Sequence, residues 1–132
     1  MFLVDSSVWI EYLRPGGAAP AKSRLKELLR TGNVLTCGIV QVEVLRGVKN
    51  EKDFEALSEA FFSLPEVPLD GEVLARAARW GYELDRKGKV LPTTDLIIAA
   101  AASGKAVLLH MDADFKIIAG HFALEEEMLP RG

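Results

Sequence analysis

The sequence has one cysteine, Cys37, and two histidines, His110 and His121, among its 132 residues. A lone cysteine excludes an internal disulfide and a cysteine-based metal site, and without a His/Cys cluster zinc has no obvious ligand set. Long hydrophobic runs are missing too. The longest, Leu96 to Ala102, falls well short of the roughly 20 residues that cross a bilayer as a helix. No basic region precedes the first apolar residues, and Asp5 interrupts them, so no secretory leader and no membrane partner are expected, and the expected compartment is the cytoplasm. No repeat, low-complexity tract or Pro/Gly/Ser-rich linker divides the chain, which reads as one domain over residues 1–132. An excess of positive charge is also absent. The net charge is −3, from 16 Lys+Arg against 19 Asp+Glu, and by charge alone this is a poor candidate for nucleic-acid binding.

What the chain does have is alternation. Phe2-Leu3-Val4 reads as a short buried strand, and "DSS" then signals a helix start. "AKSRLKELLRTGN" is an amphipathic helix stopped at Gly32, and "VLTCGIV" includes a second strand. "QVEVLRGV" continues as a helix carrying Glu43, and "EKDFEALSEAFFSL" is another, ended before Pro65. In "LDGEVLARAARWGYELDRKG", Val73, Ala77, Trp80 and Leu84 share one face, with Asp70 as N-cap and Gly88 as the stop. "LPTTDLIIAAAASG" predicts an apolar helix capped by Thr93 or Thr94. "AVLLH" is a buried strand, "DADFKIIAGH" starts a helix, and "FALEE" is a candidate last strand. Short strands alternating with helices predict an α/β fold, a parallel sheet covered by helices on both faces.

In such sheets ligands bind at the carboxyl ends of the strands. Asp5 ends the first strand, Asp112 and Asp114 follow "AVLLH", Glu43 lies just past "VLTC", and Asp95 opens a helix. Each has an ordinary reading. Asp5 and Asp112 suit helix caps, Asp95 suits the positive end of its helix, and Glu43 suits a solvated helix face. Together the ordinary readings weaken, because Asp5, Glu43 and Asp95 all sit in apolar company, where charged groups are paired or bind metal. Carboxylates converging on one sheet edge repel, so either they hold protons or a cation neutralises them. All-oxygen ligation points to Mg²⁺ or Mn²⁺. Such a site suits phosphoryl chemistry with water as the nucleophile, since no serine or cysteine has an evident partner base. Asp5 and Asp95 are expected as direct ligands. Glu43 and Asp112 are expected to ligate directly or through water, or to orient the attacking water. The hydroxyls of Ser6 and Thr94 are candidates for holding ligands or a substrate phosphate.

The opening "FLVDSSVWIEYLR", then "VEVLRG", "PTTDLIIAAAA" and "LLHMDADF", in this order and spacing, resemble the four motifs of the PIN-domain ribonucleases, and most closely the VapC-type toxins of prokaryotic toxin–antitoxin pairs. The resemblance covers nearly the whole chain. It implies a PIN-like three-layer α/β/α sandwich with a central parallel sheet. It implies metal ligation and catalysis by Asp5, Glu43, Asp95 and Asp112, with Asp114 as an accessory carboxylate. It also implies a Mg²⁺-dependent endoribonuclease acting on single-stranded RNA or tRNA, a VapB-like antitoxin partner and a homodimer. Ser6 stands where the family often has threonine, and the hydroxyl is kept.

A cation-filled site softens the charge objection, because formal charge then overstates the negative field. Arg46 and Lys49, just beyond Glu43, are the candidates for phosphate contact. Lys22, Arg24, Lys26 and Arg30 read as a solvated helix face. Trp80 fits a core position, Trp9 and Tyr12 fit the core or an interface equally, and His110 reads as structural. Two rivals fit less well: a receiver domain would want paired acids after the first strand, and a two-aspartate phosphatase would want Asp-x-Asp where this chain has "DSS". A PIN-like module that only binds a partner is the non-enzymatic alternative.

Overall fold

The computed structural model describes all 132 residues. Four strands form one fully parallel sheet: β1 (Phe2–Val4), β2 (Val34–Leu35), β3 (Val107–His110) and β4 (Glu126–Met128), in the order β2-β1-β3-β4. Seven helices flank it as the outer layers of an α/β/α sandwich: α1 (Ser6–Leu13), α2 (Ala19–Arg30), α3 (Gly38–Leu45), α4 (Glu51–Phe62), α5 (Gly71–Arg86), α6 (Thr93–Ala102) and α7 (Ala113–Ala119). The expected three-layer architecture is the one observed. β1 and β3 lie at the centre, and Leu3, Val4, Leu108 and Leu109 have no exposed surface. Burial on both faces explains why these strands read as continuous apolar runs rather than alternating ones.

α5 and α6 show how the helices meet the core. Val73, Ala77, Trp80 and Leu84 make the buried face of α5, as their spacing predicts, and Asp70 caps it by accepting from the Val73 amide at 3.0 Å. α6 is buried almost all round, with Ile98 and Ala99 to Ala102 at zero exposure. Its alanines let neighbouring backbones approach closely. At Gly81 the Leu96 side chain fills the space of a Cβ, which would stand 2.9 Å from Leu96 Cδ1. Arg76 reaches across to the Ala100 carbonyl (2.9 Å), so α5 and α6 run antiparallel. The start of α6 sits at the carboxyl end of the sheet, where Asp95 meets Asp112 and Asp114 beyond β3.

Two expectations are corrected. α6 begins at Thr93 with Pro92 as its N-cap, and neither Thr93 nor Thr94 makes a capping bond, because proline already sets the entry geometry. The strand expected within "VLTCGIV" is Val34–Leu35, and Gly38-Ile39-Val40 open α3. The last strand is Glu126–Met128 and shares only Glu126 with "FALEE". Phe122 is drawn into the helical layer instead, stacked on Trp80 with centroids 4.8 Å apart and planes 8° from parallel. The indole of Trp80 is thus a core element, as its period indicates. Trp9 is one also, 3 % exposed and edge-on to Phe61 at 4.9 Å, with the half-buried Tyr12 beside it.

Candidate metal and catalytic site

Three helices start at the carboxyl edge of the sheet, and each brings carboxylates with it. Asp5 ends β1 and is the N-cap of α1, Asp95 stands in the first turn of α6, and Asp112 caps α7 with Asp114 in its first turn. The positive ends of these helices ease the concentration of negative charge but do not remove it, since each is worth only a fraction of a unit charge.

Asp5 is 4 % exposed. Its Oδ2 accepts from the Ser7 amide (3.1 Å) and from Ser7 Oγ (2.6 Å). Ser7 Oγ in turn accepts from the Met111 amide (3.1 Å), which ties the end of β1 to the segment leaving β3. No lysine or arginine lies within ion-pair distance of Asp5. Burial therefore pushes its carboxyl above the ordinary range, against the pull of the bonds from Ser7. Glu43, half-buried on α3, accepts from Ser6 Oγ (3.0 Å). Burial raises its carboxyl as well, and the charge of Asp5 adds to the rise.

Asp95 registers the whole cluster. Its carboxyl is pushed up to about 7, first by burial and then by the charges of Asp112, Asp5, Asp114 and Glu43. One side chain thus feels all four other carboxylates that the sequence singles out. The tightest group is Asp95, Asp112 and Asp114, each half-buried, which can offer one oxygen apiece within 4.8 Å of one another. Mg²⁺ bonds of about 2.1 Å span oxygens up to roughly 4.2 Å apart, so a small rotation of one side chain closes this group around a cation. The donor set is all oxygen and no protein cation neutralises it. The residues present fit a hard divalent ion.

The weighting within the cluster differs from the sequence expectation. Asp114, expected as an accessory, belongs to the closest triad, whereas Asp5 and Glu43 stand outside it and act on Asp95 through charge. Ser6, a candidate for holding a ligand or a substrate phosphate, donates to Glu43, one of the candidate ligands. Thr94 is half-buried at the start of α6, and Arg46 and Lys49 are exposed just past Glu43 with no carboxylate paired to them. Two residues were missed. Ser7 had its signal in the second serine of "DSS", two residues past the aspartate it bonds. Glu126, which holds His110 at 2.8 Å, had none, because a pairing across two strands leaves no local pattern.

Residues 2–121 match the PIN domain. The chain is 32% identical over 124 residues to a VapC ribonuclease of Mycobacterium bovis, covering 90% of this chain and 92% of that protein. It is 28% identical to Ribonuclease VapC18 of Mycobacterium tuberculosis, covering 100% of this chain and 98% of that one. Among solved structures it superposes on a chain of the VapBC2 complex of Rickettsia felis bound to a promoter DNA fragment, with a TM-score of 0.76, 20% identity and 98% of each chain covered.

Proposed function

The chain belongs to the PIN-domain family, among the VapC-type ribonucleases, and from that premise we propose that it is a divalent-metal-dependent endoribonuclease and the toxin partner of a VapB-like antitoxin. The observation that carries the metal-dependent part is the grouping of Asp95, Asp112 and Asp114 within 4.8 Å of one another with no basic partner, where the Asp95 carboxyl is pushed up to about 7, first by burial and then by the charges of four neighbouring carboxylates. Asp95, Asp112 and Asp114 would hold Mg²⁺, or Mn²⁺ in its place, with Asp5 and Glu43 completing the surroundings. When bound, the ion supplies charge neutralisation for the scissile phosphate and an acidified water.

The chain's own residues divide the remaining work. Ser7 fixes Asp5 against the segment that carries Asp112. Ser6 orients Glu43, whose raised carboxyl suits it to take the proton of an attacking water as its oxygen bonds to phosphorus and the bond to the leaving ribose oxygen breaks. Arg46 and Lys49 are placed to meet the phosphates that flank the cut. For the antitoxin, the exposed side chain of Phe62 (93 %) offers apolar surface at the open depression between α3 and α4. A homodimer is part of the reading, and light scattering of the purified protein tests it.

The decisive experiment is cleavage of a panel of tRNA and single-stranded RNA with Mg²⁺ or Mn²⁺, an EDTA control and Asp5→Asn in parallel. Metal-dependent cutting that is lost in Asp5→Asn is the expected result. A folded protein that binds metal yet cuts nothing on the panel would favour the binding-only module, and a protein that binds no metal would remove the proposed site.

A further inference from the structure

We propose that His110 is a positioning residue for Asp112, acting through the backbone of the segment that leaves β3; this rests on the reading that the acidic group holds a divalent cation. His110 is completely buried. A buried imidazole needs partners for both ring nitrogens, and here it has them. Nδ1 accepts from the Asp112 amide at 3.2 Å, and Nε2 lies 2.8 Å from Glu126 Oε1. Because Nδ1 takes an N–H, the ring proton sits on Nε2 and is donated to Glu126. Glu126 is held by Lys116 as well, whose Nζ lies 3.3 Å from both carboxylate oxygens. Burial pushes the Glu126 carboxyl up, but these two donors outweigh it and carry the group below its ordinary range.

The effect falls on a short piece of backbone. The His110 carbonyl accepts from the Leu129 amide (2.8 Å) and the Met111 amide donates to Ser7 Oγ. The Met111 carbonyl accepts from Arg131 (3.0 Å), and the Asp112 amide is bound by His110. Every polar backbone group from the His110 carbonyl to the Asp112 amide is thus engaged. Beyond it, Asp112 Oδ1 accepts from the Asp114 amide (2.9 Å), so the same pinned segment sets where two of the three closest carboxylates stand. Packing alone does not call for histidine here. Leu108 and Leu109 fill the neighbouring β3 positions, and a leucine would avoid burying a polar ring whose desolvation must be offset by its bonds. What histidine adds is an acceptor aimed at one amide.

The test separates that acceptor from the rest of the ring. In His110→Asn the side-chain oxygen falls where Nδ1 stands, so the Asp112 amide keeps its partner while the Glu126 contact is lost. In His110→Gln the longer side chain still reaches Glu126 and leaves the Asp112 amide without an acceptor. Mn²⁺ affinity is read from the free-ion EPR signal of each purified protein, with the unfolding midpoint measured in EDTA. The Gln variant is expected to bind Mn²⁺ roughly 10-fold or more weakly, the lower end of what outer-shell partners of metal ligands are worth. The Asn variant is expected to bind like the parent protein even where its midpoint falls further. Should the Gln variant not fold, His110→Leu offers no acceptor either and carries the same expectation. Parent-like affinity in both variants, or equal weakening in both, overturns the proposal. A parent protein that shows this Mn²⁺ pattern but cuts no RNA would overturn the nuclease reading and leave the role of His110 standing.

Discussion

Glu11 and Asp5 are both buried carboxylates of the same short stretch, 7 % and 4 % exposed, and they are treated in opposite ways. Glu11 is matched on every side. Arg14 pairs with it at 2.7 Å and the Ala18 amide donates to it at 3.0 Å. The chain is folded tightly around it as well, since a Cβ on Gly17 would collide with the Glu11 carbonyl. Asp5 has two bonds from Ser7 and no cation. The same contrast divides the molecule. Glu126 and Glu127 on the edge strand β4 are paired with Lys116 and with both arms of Arg24, whereas Asp5, Glu43, Asp95, Asp112 and Asp114 have no basic partner among them. For Glu11, Glu126 and Glu127 the chain supplies the counter-charge itself. For the five site carboxylates it supplies none, which is the contrast the proposed cation accounts for.

The largest effect is expected from removing a charge on the unmatched side. Asp95→Asn should abolish metal-dependent cleavage, by at least about 100-fold, because even outer-shell partners of metal ligands are worth about 10–100-fold. The same change should stabilise the protein in EDTA. A carboxyl whose folded pKa is raised destabilises the folded state as pH climbs from its unfolded value, near 3.8, towards about 7. Without metal, the parent's unfolding midpoint should therefore fall relative to that of Asp95→Asn across that window and run parallel to it above. Asp5 and Glu43, also raised, push the parent in the same direction, while Glu126, lowered, loses its contribution only as pH falls. Saturating Mg²⁺ should remove most of the difference by taking the place of the proton. Midpoints measured from pH 4 to 8, with and without metal, check this; a gap that does not grow with pH would break the contrast between the two kinds of carboxylate.

How much of this was legible in the sequence depends on the range of the interaction. The five carboxylates could be named from strand ends and apolar company, since a charge following Phe2-Leu3-Val4 or preceding Leu96-Ile97-Ile98 is anomalous on the page. Their order of proximity could not, because Asp95 comes from one helix and Asp112 and Asp114 from another, and only the packing of α6 against α7 sets those distances. The α5 face was legible from its period, and the stop at Gly88 (φ +74°) from its residue type. The last strand was misplaced because Phe122 looks like a strand residue until Trp80 is there to stack on it. Glu11 escaped notice altogether. Its partners lie three and seven residues away, close enough to read as a surface pair on a helix, and nothing local shows that the turn at Pro15-Gly16-Gly17 closes over it.

On the matched side the effects should appear in stability and not in metal binding. Glu11→Ala removes the acceptor of the buried Ala18 amide and leaves that N–H unpaired, at a cost of about 1–3 kcal/mol. For a domain of this size, each kcal/mol corresponds to roughly 4 °C in the unfolding midpoint. The Mn²⁺ affinity of the folded variant should equal that of the parent, and calorimetric melting beside the EPR titration reads both quantities on one preparation. A loss of affinity as large as that of Asp95→Asn would mean that the first loop supports the site more directly than the separation of the two carboxylate sets implies.

The smallest effect is expected where the counter-charge is most exposed. Arg24 makes a two-armed pair with Glu127, at 2.9 and 3.0 Å, and lays its guanidinium over Phe2 at 4.9 Å, with both side chains about a third exposed. Exposed pairs are worth about 0–1 kcal/mol, and two-armed geometry places this one towards the upper end. Arg24→Met keeps an apolar stem over Phe2 and removes the charge, so its destabilisation should stay below about 1 kcal/mol and shrink as salt is raised. Glu127→Gln should give nearly the same loss, and the double variant little more than either alone, since both single changes delete one interaction. Metal affinity should be unmoved in all three. The pair joins α2 to the edge strand, and the β4 side chain that reaches towards the site is Glu126, through His110. If Glu127→Gln weakened Mn²⁺ binding, the register of β4 against β3 would have to be carrying the disturbance to Asp112, and the two sets of carboxylates would be coupled through the sheet itself.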